Sequence, residues 1–163
     1  MENVKNIIDK ILSIACAAIL SLMTILLAFY VSGVYIFKTP SAPVLTLVKF
    51  LFVWLVMYGA AFVFGKKQHI NLSFVRDILP LKIKIIVEII SEALIAVFAG
   101  AVLVYGGWHF MLKQMLEINP AVHISMGYVY CAVPISGIFI LFYFVCNALS
   151  LFTKLKSAPK AQI

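Results

Sequence analysis

Two glutamates four residues apart, Glu88 and Glu92, are a third of the 6 acidic residues in this chain. Residues at i and i+4 share a helix face, and both glutamates lie within an otherwise apolar run from Ile85 to Gly107. Glu92 falls about 10 Å inside the start of that run at 1.5 Å rise per residue. An ionisable group at such depth serves one of two purposes: it relays protons, or it ties helices together through an ion pair or hydrogen bond. A relay needs a path of titratable groups. The first and fourth apolar runs bring no acidic partner, only Asn147 and serines, so the structural role is favoured, with Lys82, Lys84 or another subunit as the partner.

The other candidates for chemistry are sparse. Cys16, Cys131 and Cys146 have no C-x-x-C spacing, as a membrane thiol oxidoreductase would require, and each reads as a small buried apolar residue. His69, His109 and His123 fall in loops or at helix ends, with no partner at the same depth on an opposing helix, which is unlike a haem site. The sequence has no nucleophile–base pair, glycine-rich phosphate loop or metal-ligand spacing. Neither enzymatic activity nor a cofactor is expected.

The elements that position these residues follow from the solvent. With 163 residues, 12% charged and 64% hydrophobic, and a mean hydropathy of +1.11, the chain has more apolar surface than a soluble core could hide. A bilayer core of about 30 Å needs about 20 apolar residues in a helix, and four runs qualify, at about 11–37, 44–64, 85–107 and 127–152. The expected fold is an all-α integral membrane protein with four transmembrane helices, forming a single membrane domain over residues 1–163. The first run exceeds the h-region of about 7–15 residues in a signal peptide, and only Ile11 to Ala15 would precede a lipoprotein cysteine at Cys16, so the first helix is read as uncleaved.

Of the 13 basic residues, ten fall on one side of this arrangement: Lys5 and Lys10, then Lys66, Lys67, Arg76, Lys82 and Lys84, then Lys154, Lys156 and Lys160. Lys38, Lys49 and Lys113 fall on the other. The positive-inside rule therefore places both termini in the cytoplasm. The net charge of +7 is accounted for by topology and leaves no folded basic surface for nucleic acid.

Two segments are expected to lie along the membrane interfaces. Asn71 to Leu79 has Phe74, Val75, Ile78 and Leu79 on one helical face and Ser73, Arg76 and Asp77 on the other, with Pro80 as a stop. Its basic residues would meet lipid headgroups; a solvated linker is the alternative. On the other side, Trp108, Met111, Leu112, Met115 and Leu116 follow the amphipathic template, opposite His109, Lys113, Gln114 and Glu117, so the third helix runs past the bilayer until Asn119 and Pro120 end it. Small residues mark close helix contacts: Gly59, Ala60 and Ala61 on the second helix, Ala96 and Gly100 on the third, Ala132 and Ser136 on the fourth. Pro134 should leave the carbonyl of Tyr130 without its helical donor. Lys49 can snorkel to the headgroups, and Trp54 is deep enough to be packing alone.

Two stretches resemble a known family. FLFVWLVMYGAAFVFGKKQHINLSFVRDILP, Phe50 to Pro80, is similar to the second helix and following loop of the DctQ-type small membrane subunits of tripartite ATP-independent periplasmic (TRAP) transporters. The matching residues are Trp54, Gly59 to Ala61, Lys66, Lys67, His69 and Ile70. NPAVHISMGYVYCAVPISG, Asn119 to Gly137, resembles the family's stretch before and inside the fourth helix through Pro120, Met126, Gly127, Tyr128, Tyr130 and Pro134. The chain departs from the pattern at Thr46, where the family commonly has glutamate, and at His123 and Ser125, where it often has glycine and proline. A role for that glutamate is therefore not carried over.

The resemblance implies a non-catalytic subunit in the bacterial inner membrane. Its partners would be a large multispanning TRAP membrane subunit and a periplasmic substrate-binding protein, in a sodium-driven system for organic acids such as C4-dicarboxylates or sialic acids. Lys49, Trp54, Arg76, Glu88 and Glu92 are then candidate structural or partner-subunit contacts, and Lys113, Glu117 and His123 candidate contacts to the binding protein. The alternatives are a small proton-coupled exporter using Glu92, and a membrane redox or haem subunit.

Overall fold

The computed structural model describes residues 2–36, 38, 41–66 and 81–157, with side-chain surroundings for 5–36, 38, 41–66 and 90–148. The expected interfacial helix at Asn71–Leu79, with Arg76, lies outside the described residues. Glu88 lies on a described helix, but its side chain is outside that set.

The described residues are almost all helical, and four helices are long and apolar enough to cross a membrane. The first, α1, spans Glu2–Tyr35. Its 34 residues extend about 51 Å at 1.5 Å per residue, well beyond a hydrocarbon core of about 30 Å. It begins nine residues before the expected boundary because Lys5, Asp9 and Lys10 continue the helix into the polar region. Ser21, Thr24 and Ser32 are tolerated because each hydroxyl donates to the carbonyl four residues earlier, at 2.8–2.9 Å.

Lys38, at φ 53°, turns the chain between the first two helices. Helix α2 then spans Ala42–Gly65, with Pro43 in its first turn, where a missing N–H costs nothing. The third transmembrane helix is built in three parts: α3 at Leu81–Phe98, a π-helical segment at Ala99–Gly106, and α4 at Gly107–Gln114. It outlasts the apolar run, as expected, but is not a continuous α-helix. Its end comes at Gln114, five residues before Asn119.

The fourth helix consists of a short α5, Gly127–Tyr130, and a long α6, Ala132–Ser157. The interruption at Cys131 lies where Pro134 cannot donate to the carbonyl of Tyr130.

Helix α1 packs on α2, α2 on α6, and α6 on the π segment and α3. The start of α1, the end of α2 and the second half of α6 meet at one end of the bundle, called here the terminal end. The core is thin: Leu12, Ala61, Phe64, Ala99, Ile140 and Tyr143. Helix α6 is central, since 39% of the most apolar window of its span is buried, against 6% for α1.

Small residues permit the close contacts, though not all of those expected. Ala61, Ala96, Ala132 and Ser136 are buried, whereas a Cβ at Gly59 or Gly100 would meet nothing within 4 Å. Two approaches are equally tight: a Cβ at Gly65 would lie 2.6 Å from the ring of Tyr143, and one at Gly127 would lie 2.6 Å from Met115. At Gly137 it would lie 2.8 Å from Leu103 and 2.9 Å from Val104.

Candidate functional site

The terminal end of the bundle gathers the polar side chains that the spans carry. Asp9 on α1 accepts a 2.5 Å hydrogen bond from the hydroxyl of Tyr143 on α6. One turn earlier, Lys5 donates to Asn147 Oδ1 at 3.1 Å. Lys5 and Asp9 share a face of α1, and Tyr143 and Asn147 share a face of α6, so the two bonds form parallel rungs between the helices. Gly65 completes the fit, since the ring of Tyr143 occupies the space a side chain would need.

Tyr143 and Asn147 are almost fully buried, at 0% and 2% exposure. A buried tyrosine hydroxyl needs a partner, and Asp9 supplies it. The first helix thus contributes an acidic side chain to the bundle because α1 reaches past Asp9, and that carboxylate is bonded to Tyr143.

Glu92 is buried at 4% exposure. Its depth follows from the register of the third and fourth helices: Gly107 faces Val133 and Pro134, and Gly137 faces Leu103 and Val104. Continued along the antiparallel pair, that register brings Glu92 to the level of Asn147. It therefore sits toward the polar terminal end.

At α2, Lys66 places its ammonium 4.5 Å from the centroid of the Phe62 ring. A cleft of about 360 Å³ opens between the helix ends, lined by Lys5, Asn6, Asp9, Gly65 and Lys66. Toward the opposite end of α2, Lys49 is exposed, free to reach headgroups. Trp54 is half-buried and meets Tyr58 edge-on at 5.3 Å, and Tyr58 meets Phe139 of α6 at 6.2 Å. Trp54 therefore belongs to the internal aromatic packing.

At the opposite end, α4 and α5 are joined by an ordered turn. Met126 donates to the carbonyl of Glu117 at 2.8 Å, Asn119 to Ile124 at 3.0 Å, and His123 to Asn119 at 2.8 Å. The Asn119 side-chain oxygen accepts from Ala121 N at 3.0 Å. Ser125 fastens the turn to α4 by donating to the Met115 carbonyl at 2.9 Å. At one departure from the family pattern, Ser125 supplies a side-chain bond that proline could not. His123 adopts φ 54°, a left-handed conformation that favours glycine.

Lys113, Glu117 and His123 are all exposed on or beside this turn. The amphipathic face is narrower than the spacing predicts. Met111 is buried at 7% exposure, while Trp108, Leu112 and Leu116 are exposed, Leu116 at 89%. The inward face is Gly107, Met111 and half-buried Met115, because α4 packs beside α5 rather than lying flat on a uniform surface. Among the described residues, no group of three His, Cys, Asp or Glu side chains is placed to hold a metal ion.

Sequence reasoning missed Lys5, Asp9 and Tyr143 as a unit with Asn147. Asp9 and Tyr143 are 134 residues apart in the chain, and no local spacing signals such a pair.

Relatives place the chain in a transport system. The family profile described as "Tripartite ATP-independent periplasmic transporters, DctQ component" matches residues 23–154. A protein of Haemophilus influenzae whose name assigns it to the TRAP transporter small permeases is 26% identical over 140 residues, covering 86% of each chain. The sialic acid TRAP transporter small permease protein SiaQ of Vibrio cholerae is 23% identical over 142 residues, 87% of this chain and 82% of that one. With four membrane-crossing helices and a profile match over most of its length, the chain belongs to the DctQ family of TRAP transporter small subunits, multi-pass proteins of the bacterial inner membrane.

Proposed function

We propose that this chain is the non-catalytic scaffold subunit of a sodium-coupled, binding-protein-dependent transporter for organic acids of the sialic acid or C4-dicarboxylate type. It would hold the large transport subunit in the membrane, as one membrane domain with both termini in the cytoplasm. The family supports association with a large TRAP membrane subunit and a substrate-binding protein. The sialic acid branch of the proposal rests on the name of the Vibrio cholerae relative.

The observation that carries the scaffold reading is the distribution of surface. Helix α1 covers one side of the bundle yet buries little of itself, with Ile7, Ile14, Ile25 and Phe29 each 58–67% exposed; on α3, Leu94 and Val97 are 70% and 68% exposed. Such faces suit lipid and a neighbouring membrane subunit. Lys5, Asp9, Tyr143 and Asn147 are spent on ties between helices. Lys49, Arg76, Glu88 and Glu92 are proposed as structural or partner-subunit contacts, with Trp54 supporting them from within. Lys113, Glu117 and His123, on the fastened turn, are proposed to meet the binding protein, where exposed charges would steer its approach.

The test is reconstitution of the chain alone, and of the chain with the large subunit and binding protein. Uptake only in the full system, requiring a sodium gradient, is expected. Ion-driven transport by this chain alone would refute the scaffold assignment and favour the exporter.

A further inference from the structure

The cleft at the terminal end is charged in a way that the two interhelical bonds do not explain. Its lining residues include two lysines, Lys5 and Lys66, and one aspartate, Asp9, with Asn6 as an uncharged donor and acceptor. Lys5 and Asp9 each hold a bond to α6 and keep their charge, so among the described residues two lysines stand against one carboxylate and the lining is cationic on balance. At about 360 Å³ the cleft far exceeds the roughly 10–15 Å³ that one water needs, which suits a headgroup with its hydration rather than a single ion. It opens at the end of the apolar spans, the depth at which lipid phosphates lie. Lysine binds phosphate as a compact point charge, and basic clefts between transmembrane helices recognise anionic headgroups.

The wall above the cleft also admits a lipid. Asp9, Ser13 and Ala17 recur at every fourth position and so share a face of α1. Ser13 and Ala17 are small and exposed, leaving a shallow path along the helix for an acyl chain. Lys66 stands over the ring of Phe62, which keeps its ammonium near the helix surface rather than extended into solvent.

We propose that the cleft formed by Lys5, Asn6, Asp9, Gly65 and Lys66 binds the phosphodiester headgroup of an anionic phospholipid, of the phosphatidylglycerol class, from the leaflet at this end of the bundle. The lipid would bridge α1 and α2 beside the Lys5–Asn147 and Asp9–Tyr143 bonds. The proposal is independent of what the transporter carries.

The experiment uses the full chain in nanodiscs of phosphatidylcholine doped with phosphatidylglycerol, with native mass spectrometry counting the lipid retained after release. Retention of phosphatidylglycerol over phosphatidylcholine is expected. Lys66→Gln should lower it about fivefold, the effect of one lysine at an anionic surface, and Lys5→Gln with Lys66→Gln should lower it further. Because Lys5→Gln also removes the bond to Asn147, Lys66→Gln alone decides the matter if the double variant does not fold. Undiminished retention in Lys66→Gln, or equal retention of phosphatidylcholine, overturns the proposal. Displacement of the lipid by millimolar inorganic phosphate would assign the cleft to a free anion and overturn it equally.

Discussion

Asp9, near the start of the first helix, and Tyr143, deep in the last, are joined by a direct side-chain hydrogen bond, and the tyrosine ring reaches its partner across Gly65 of α2. Three helices are thus fixed at one point. Tyr143→Phe keeps the packing and removes the donor, which should cost about 0.5–2 kcal/mol, while Asp9→Asn keeps an acceptor and should lose less. Thermal unfolding in detergent gives the order; a Phe variant as stable as the parent would show the bond to be dispensable.

Glu92 is buried at the level of Asn147, so its role should be geometric. Glu92→Gln retains hydrogen bonding and should assemble and support uptake, whereas Glu92→Leu leaves polar neighbours without it and should assemble poorly. Yield of the complex and uptake in proteoliposomes are the measurements. Abolished uptake in a normally assembled Gln variant would show that the carboxylate carries protons.

Glycines at two kinds of position should respond oppositely. Gly137→Ala drives a Cβ into Leu103 and Val104, whereas Gly59→Ala meets nothing within 4 Å and should stabilise the isolated chain by about 0.5–1 kcal/mol through its backbone entropy. Melting temperatures of the chain alone test this. If Gly59→Ala is neutral alone but weakens the complex, the large subunit packs there.

The fastened turn offers a separate measurement. His123→Gly should relax the left-handed backbone and raise the melting temperature, while Ser125→Ala should lower it by loosening the turn from α4. If His123 meets the binding protein, the Gly variant should also weaken docking, measured by surface plasmon resonance. Unchanged affinity would remove His123 from that interface.

Tags at Met1 and Ile163 should both report cytoplasm and one at Asn119 periplasm, from the distribution of basic residues. A periplasmic signal from Met1 would invert the map.

The four spans were legible because a membrane crossing is a property of one continuous segment, read from length and hydropathy alone. So was the continuation of the third helix past its apolar run, from its amphipathic repeat. The pairings at the terminal end were not. Whether Asp9 meets Tyr143 depends on how far α1 runs and on how closely α2 lets α6 approach, and both are settled by packing across distant segments. The same limit applied to Met111 and Leu112, apolar neighbours of which only Met111 is buried. Gly59 and Gly100 illustrate the converse: small residues permit contact without dictating where it occurs.

The π segment carries a consequence for how the third helix tolerates change in length. Its inward positions run Glu92, Ala96 and Ala99 at α spacing, then Ala99, Leu103, Gly107 and Met111 at strict intervals of four. In an α-helix each interval of four overshoots a full turn by about 40°, so two of them would swing Gly107 about 80° away from α6. Wider turns absorb that excess and keep Gly107 against Val133. Residues 99–106 therefore work as a phase corrector: removing one residue there would act as a rotation, turning α4 and its attached turn around the helix axis while the half that carries Glu92 stays in place.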